Sequence, residues 1–305
     1  MMGAEKESSD RGMNSVATLL SSQTKSWCTY IFRTTSSLDH VGILSSLEEQ
    51  VGKDHAQAFY IDPVSLVIRI SHQLVDAQRG LALAVDALKN APSITPPNLP
   101  LLSAAGSLDE WSEQTFDLAS IKAQLMDQTL TQWTLQRLVK QHMAGRSDSD
   151  APGWRVIVSS QKSVPTHANE RGNHFVPVDL STSQAMTATS RSAAQWKKLL
   201  MKLAGTASKS IENLHYLDGS SERHLSDRIT LTSVGSLSTI EQTLRLRGIT
   251  SMTMFPERVS WCSSVVTIYS LFGRLHVVLS GRNRLDSQIF DAFQTCESEH
   301  PGDPL

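Results

Sequence analysis

The feature that most constrains the fold is the run VSLVIRIS at 64–71, nearly all apolar, with one arginine inside it. A strand that alternates in polarity can lie on a surface. A run like this needs cover on both faces, and so predicts a central strand with layers on either side. Before it, AQAFYID (56–62) and the turn signal Asp62-Pro63 predict a hairpin. After it come SHQLVDAQRG (71–80) and LALAVDALKN, in which Leu81, Val85 and Leu88 share one helical face. Strand, polar turn and amphipathic helix in succession predict an α+β fold of α/β layers.

The rest of the chain repeats these signals. SWCTYIFRT (26–34) reads as a strand and LDHVGILSSLEEQV (38–51) as a helix. A helix is expected from Phe116 to Met143 on the spacing of Leu118, Ile121, Leu125, Leu130, Trp133, Leu135 and Leu138. Beyond the polar break AGRSDSDAPG, strands are expected at GWRVIVSS and HFVPVDLS, then a helix from a Ser/Thr cap at 182 to Gly205. The last part reads as strand ITLTSVG, helix TIEQTLRL, strands ITSMTMF, VSWCSSVVTIYSLF and RLHVVLSG, and helix LDSQIFDAFQTCE. This organisation predicts a disordered tail over 1–15, a first lobe over 16–145 and a second lobe over 146–305.

Bulk properties exclude several classes. Formal charge is −2, so nothing broad attracts nucleic acid or an anionic membrane, and no segment is apolar enough for a signal or a span. The three cysteines, Cys28, Cys262 and Cys296, are far apart and form no CxxC, which argues against a disulfide framework or zinc knuckle and fits a reducing cytoplasm. Phosphate-cradling, serine-hydrolase and HExxH patterns are missing from the sequence. His215 and His224 lie in a polar stretch without companion ligands, so they read as solvated and no metal is expected.

His72 and Asp76 stand out against this background. An imidazole at the end of a buried strand titrates near neutrality and can take a proton from a hydroxyl. With a helix starting there, the spacing of four returns Asp76 toward the same turn, where it can brace the loop. The same pair also reads as a helix cap beside a satisfied structural histidine.

The run LVIRISHQLVDAQRGLALAVDAL resembles the HxxxD segment of fungal CoA-dependent acyltransferases of the trichothecene acetyltransferase type, kin to plant BAHD enzymes and condensation domains. LTSVGSLSTIEQTLRLRGITSMTMFPERVSW and VVTIYSLFGRLHVVLSGRNRLDSQIFDAF resemble that group's closing pattern. The resemblance implies two chloramphenicol-acetyltransferase-like lobes with a channel between them. It implies His72 as general base and Asp76 as its structural partner. Acyl-CoA is implied as co-substrate, with no bound cofactor, and a hydroxylated small molecule as acceptor. The implied activity is acyl, chiefly acetyl, transfer to a hydroxyl in fungal secondary metabolism.

The departures are specific. Ser71 and Ala77 stand where relatives carry a second histidine and a glycine, and TMFPERVSW keeps Phe255 and Trp261 of a DFGWG-like turn without its aspartate and glycines. Only 71 residues precede the histidine, so the first lobe is expected to be incomplete. Arg282 and Arg284 offer a charge partner for Asp76. Two other readings share the resemblance: a degenerate binding protein without catalysis, and an amide-forming transferase with a carrier-bound donor.

Overall fold

The computed structural model describes residues 26–72, 74–94, 108, 110–143, 153–159, 175–214, 229–257, 264–281 and 287–294. The expected tail, His215, His224, Cys262, Cys296, Trp261, Arg282 and Arg284 lie outside the described residues.

In chain order the elements are β1 (Trp27–Thr34), α1 (His40–Val51), β2 (Ala56–Asp62), β3 (Ser65–Ser71), α2 (Ala77–Asn90), β4 (Glu110–Asp117), α3 (Leu118–Leu125) and α4 (Leu130–Met143). They continue with β5 (Trp154–Ser159), β6 (Phe175–Leu180), α5 (Thr182–Thr189), α6 (Ala193–Leu214), β7 (Ile229–Ser236), α7 (Ser238–Leu246), β8 (Ile249–Glu257), β9 (Ser264–Leu271) and β10 (Arg274–Gly281). A 3₁₀ turn at Ser287–Phe290 leads into the short α8 (Asp291–Gln294).

The strands form two sheets, β2-β3-β1-β8 and β4-β10-β9-β7-β5-β6. β3 is buried along its whole length between β2 and β1, as its composition demanded. The first sheet is antiparallel, while β7 runs parallel to both β5 and β9 in the second. The sheets cross the expected chain division: β4 comes before it yet joins the second sheet, and β8 comes after it yet joins the first.

Two expected helices are each two. Phe116 and Asp117 end β4, and the Asp117 carboxylate caps α3 by accepting from the Ser120 N–H at 2.7 Å. Met126 then turns the chain at φ 48°, and Thr129 opens α4 through a reciprocal box with Gln132. Ser190–Ser192 likewise separates α5 from α6, which runs through Gly205 to Leu214 because good helix formers surround that single glycine.

One core gathers around the first sheet with Ile43 and Leu47 of α1 and Leu81, Ala84 and Leu88 of α2. The other joins Val156, Val266, Leu275 and Val277 to Trp133, Leu138 and Phe293. Tyr269 and Val278 project from the opposite face of β9 and β10 into the first core, bringing the sheets together. Glu113 fastens this seam. It accepts from Thr253 Oγ1 on β8, from Tyr269 OH at 3.3 Å and from His276 Nδ1 at 2.6 Å.

Candidate active site

His72 is the first residue past β3, and its backbone N–H donates to the Ser26 carbonyl at 3.0 Å. Nδ1 lies 3.0 Å from the Val75 carbonyl. A carbonyl only accepts, so the neutral ring carries its proton on Nδ1 and its basic lone pair on Nε2. The residue is half-buried. Burial pulls its pKa below the ordinary 6.5, opposed by the Val75 hydrogen bond and the Asp76 charge. The ring is therefore neutral, and basic at Nε2, near pH 7.

Asp76 is the N-cap of α2 and accepts from the Arg79 N–H at 2.7 Å. The aspartate therefore caps the helix, and its charge favours the protonated form of His72. β1 supplies the rest of the support. Cys28 Sγ donates a long contact of 3.9 Å to the same Val75 carbonyl, and Tyr30 OH donates to the Ala77 carbonyl at 2.8 Å. Burial raises the pKa of the Cys28 thiol and of the Tyr30 phenol, so both stay protonated as donors.

Sequence reasoning missed Tyr30, Gly80 and Gln78. A Cβ on Gly80 would run into the Tyr30 hydroxyl, so the helix meets the strand there only because that residue is glycine. Gln78 Nε2 reaches the Val234 carbonyl of β7 at 2.7 Å, which sets the His72 loop against the second sheet. The signal available for Gly80 was a glycine inside an otherwise helical run. Nothing local pointed to Gln78, whose partner lies 156 positions away.

By sequence, no family model and no curated protein matches the chain. By structure, polyketide synthase associated protein 5 from Mycobacterium tuberculosis aligns with a TM-score of 0.56 at 10% identity, over 92% of this chain and 94% of that one. The chain has the chloramphenicol-acetyltransferase-like fold. F. graminearum TRI101, complexed with coenzyme A and T-2 mycotoxin, shares this fold at a TM-score of 0.54 and 11% identity, over 94% and 97%. The nonribosomal peptide synthetase FmoA3 matches at 0.55 and 12%, over 95% of this chain and 41% of that one.

A separate cleft of about 730 Å³ opens between α3, α4, the Ser190–Ser192 link and α8, with Met126, Arg137, Lys140 and Arg191 in its lining. It contains no residue of the 72–80 loop. Among the described residues no group of three or more His, Cys, Asp or Glu is placed to hold a metal, and no helix is long and apolar enough to cross a membrane.

Proposed function

We propose that this chain is an acyl-CoA-dependent O-acyltransferase acting on a hydroxylated small molecule, with His72 as general base and Asp76 as positioning residue. The observation that carries the reading is the His72 ring, fixed through Nδ1 at the Val75 carbonyl and held neutral by burial, at the end of β3 just before α2, whose Gln78 reaches β7. Nε2 takes the proton of the acceptor hydroxyl as its oxygen adds to the thioester carbonyl. The tetrahedral oxyanion collapses, the C–S bond breaks, and the thiolate recovers the proton from the imidazolium. Ester and free CoA are the products. The reaction needs both substrates bound together. The coenzyme A complex of F. graminearum TRI101 supports acyl-CoA as donor and a fungal secondary-metabolite setting.

The likeness to FmoA3 favours a second reading, in which the donor hangs from a carrier protein and the acceptor is an amine. The same histidine serves either. Purified protein is incubated with acetyl-CoA and a panel of polyols, and free thiol is followed against His72→Ala. Release that depends on His72 is expected. Release equal in both proteins sinks the transferase reading, and competition between acyl-CoA and an acyl-carrier separates the two donors.

A further inference from the structure

One polar network ties together all four strands of the first sheet. Arg69 on β3 donates through Nε to Glu257 Oε1 at 2.9 Å and through Nη2 to Oε2 at 2.7 Å. Thr29 Oγ1 on β1 donates to the same carboxylate, and Arg69 Nη1 reaches Gln57 Oε1 on β2 at 3.3 Å. The arginine is 1% exposed and the glutamate 0%. By strand alternation the network occupies the face opposite Cys28 and Tyr30, which hold the His72 loop.

A buried ion pair of this kind is a poor device for stability alone, since an apolar pair of similar volume is often as stable or more so. Its position suggests another use. Arg69 lies two residues before Ser71. Ser71 pairs with Trp27, and Trp27 pairs with Glu257 on its other side. The network therefore clamps the end of the sheet from which His72 emerges, with geometry that a bidentate guanidinium fixes in direction as well as distance.

We propose that Arg69 and Glu257 are positioning residues that set the orientation of the His72 ring by locking the ends of β3, β1 and β8 in register. This rests on the reading of His72 as the general base, and it names a support for that base on the far face of the sheet. Removing the clamp frees the strand end while leaving the hydrophobic layers in place, so the ring gains solvent without the protein unfolding.

The test is the double variant Arg69→Met with Glu257→Met, whose thioethers fill irregular space. Its melting temperature is expected to equal or exceed that of the parent. The kcat for CoA release is expected to fall roughly 10- to 100-fold with KM for acetyl-CoA unchanged, the range that a displacement of about 1 Å or less can produce. In the NMR spectrum the His72 imidazole midpoint is expected to rise toward 6.5 as burial is relieved. Should the double variant not fold, Arg69→Lys keeps the charge pair, removes the two-point fork, and gives the same decision. A His72 midpoint and kcat equal to the parent's overturn the proposal. Where the parent itself releases no CoA, the transferase reading has failed, and the imidazole titration alone then decides whether the clamp orients the ring.

Discussion

His72 is poised between burial, which favours the neutral ring, and the Val75 hydrogen bond and Asp76 charge, which favour the imidazolium. Because burial wins, the folded midpoint lies below 6.5 and the unfolded chain binds the proton more readily. The neutral ring's contribution to stability is complete above that value and is lost as pH falls through the folded midpoint. If His72 is the general base proposed above, acyl transfer is expected to follow the same sense, rising with pH through the folded midpoint and levelling near neutrality. Asp76→Asn keeps an oxygen to accept from Arg79 and removes the charge, so the rising limb is expected to move to lower pH with little loss of stability. Asp76→Ala also loses the cap, at about 1 kcal/mol. A pH–rate profile of the three proteins, read beside their thermal unfolding, checks this. A limb that stays in place in Asp76→Asn excludes the electrostatic role.

At the scale of the elements, the loop from β3 to α2 depends on close approach between β1 and the first turn of α2. Gly80→Ala sets a methyl against the Tyr30 hydroxyl, itself fixed by the Ala77 carbonyl, and is expected to cost about 1–3 kcal/mol as local overpacking. Tyr30→Phe in the same chain removes the obstructing oxygen. A double-mutant cycle by chemical denaturation should therefore show coupling, and strictly additive effects would contradict the geometry.

The strand, turn and helix of this region were legible because their signals are local: an apolar run, a cap, an amphipathic face. The helix breaks were missed, although their signals stood in residues the apolar spacing passed over. Thr129-x-x-Gln132, Ser181-x-x-Gln184 and Ser192-x-x-Gln195 are three boxes of one kind, and they open α4, α5 and α6. Apolar periodicity runs across the breaks before α4 and α6 because both members of each helix pair contribute to the same core.

For the whole molecule, the contacts that join the sheets are the ones a linear reading could not find. β4, EWSEQTFD, is polar enough to pass for a loop; it is a strand because it closes the edge of the second sheet against β10, more than 150 positions along the chain. Glu113 then finds Thr253, Tyr269 and His276 at once. Arg69 was the one visible clue to the other polar network, since an arginine inside a run buried on both faces requires an acid, but the sequence did not say which. Overall layering came through because it depends on composition along each strand; sheet membership did not, because pairing between distant strands leaves little trace in either one.

The exchange of β4 and β8 between the sheets has a consequence for cutting the chain. Expressed separately, 1–145 would lack the edge strand beside β1, and 146–305 would lack the edge strand beside β10. Each piece would be left with an open seam shaped for the other. Neither should give a dispersed proton spectrum alone, whereas co-expression should yield a non-covalent heterodimer that co-purifies through a tag on one piece. Two independently folded pieces would show that the handover of strands is ornamental to the architecture.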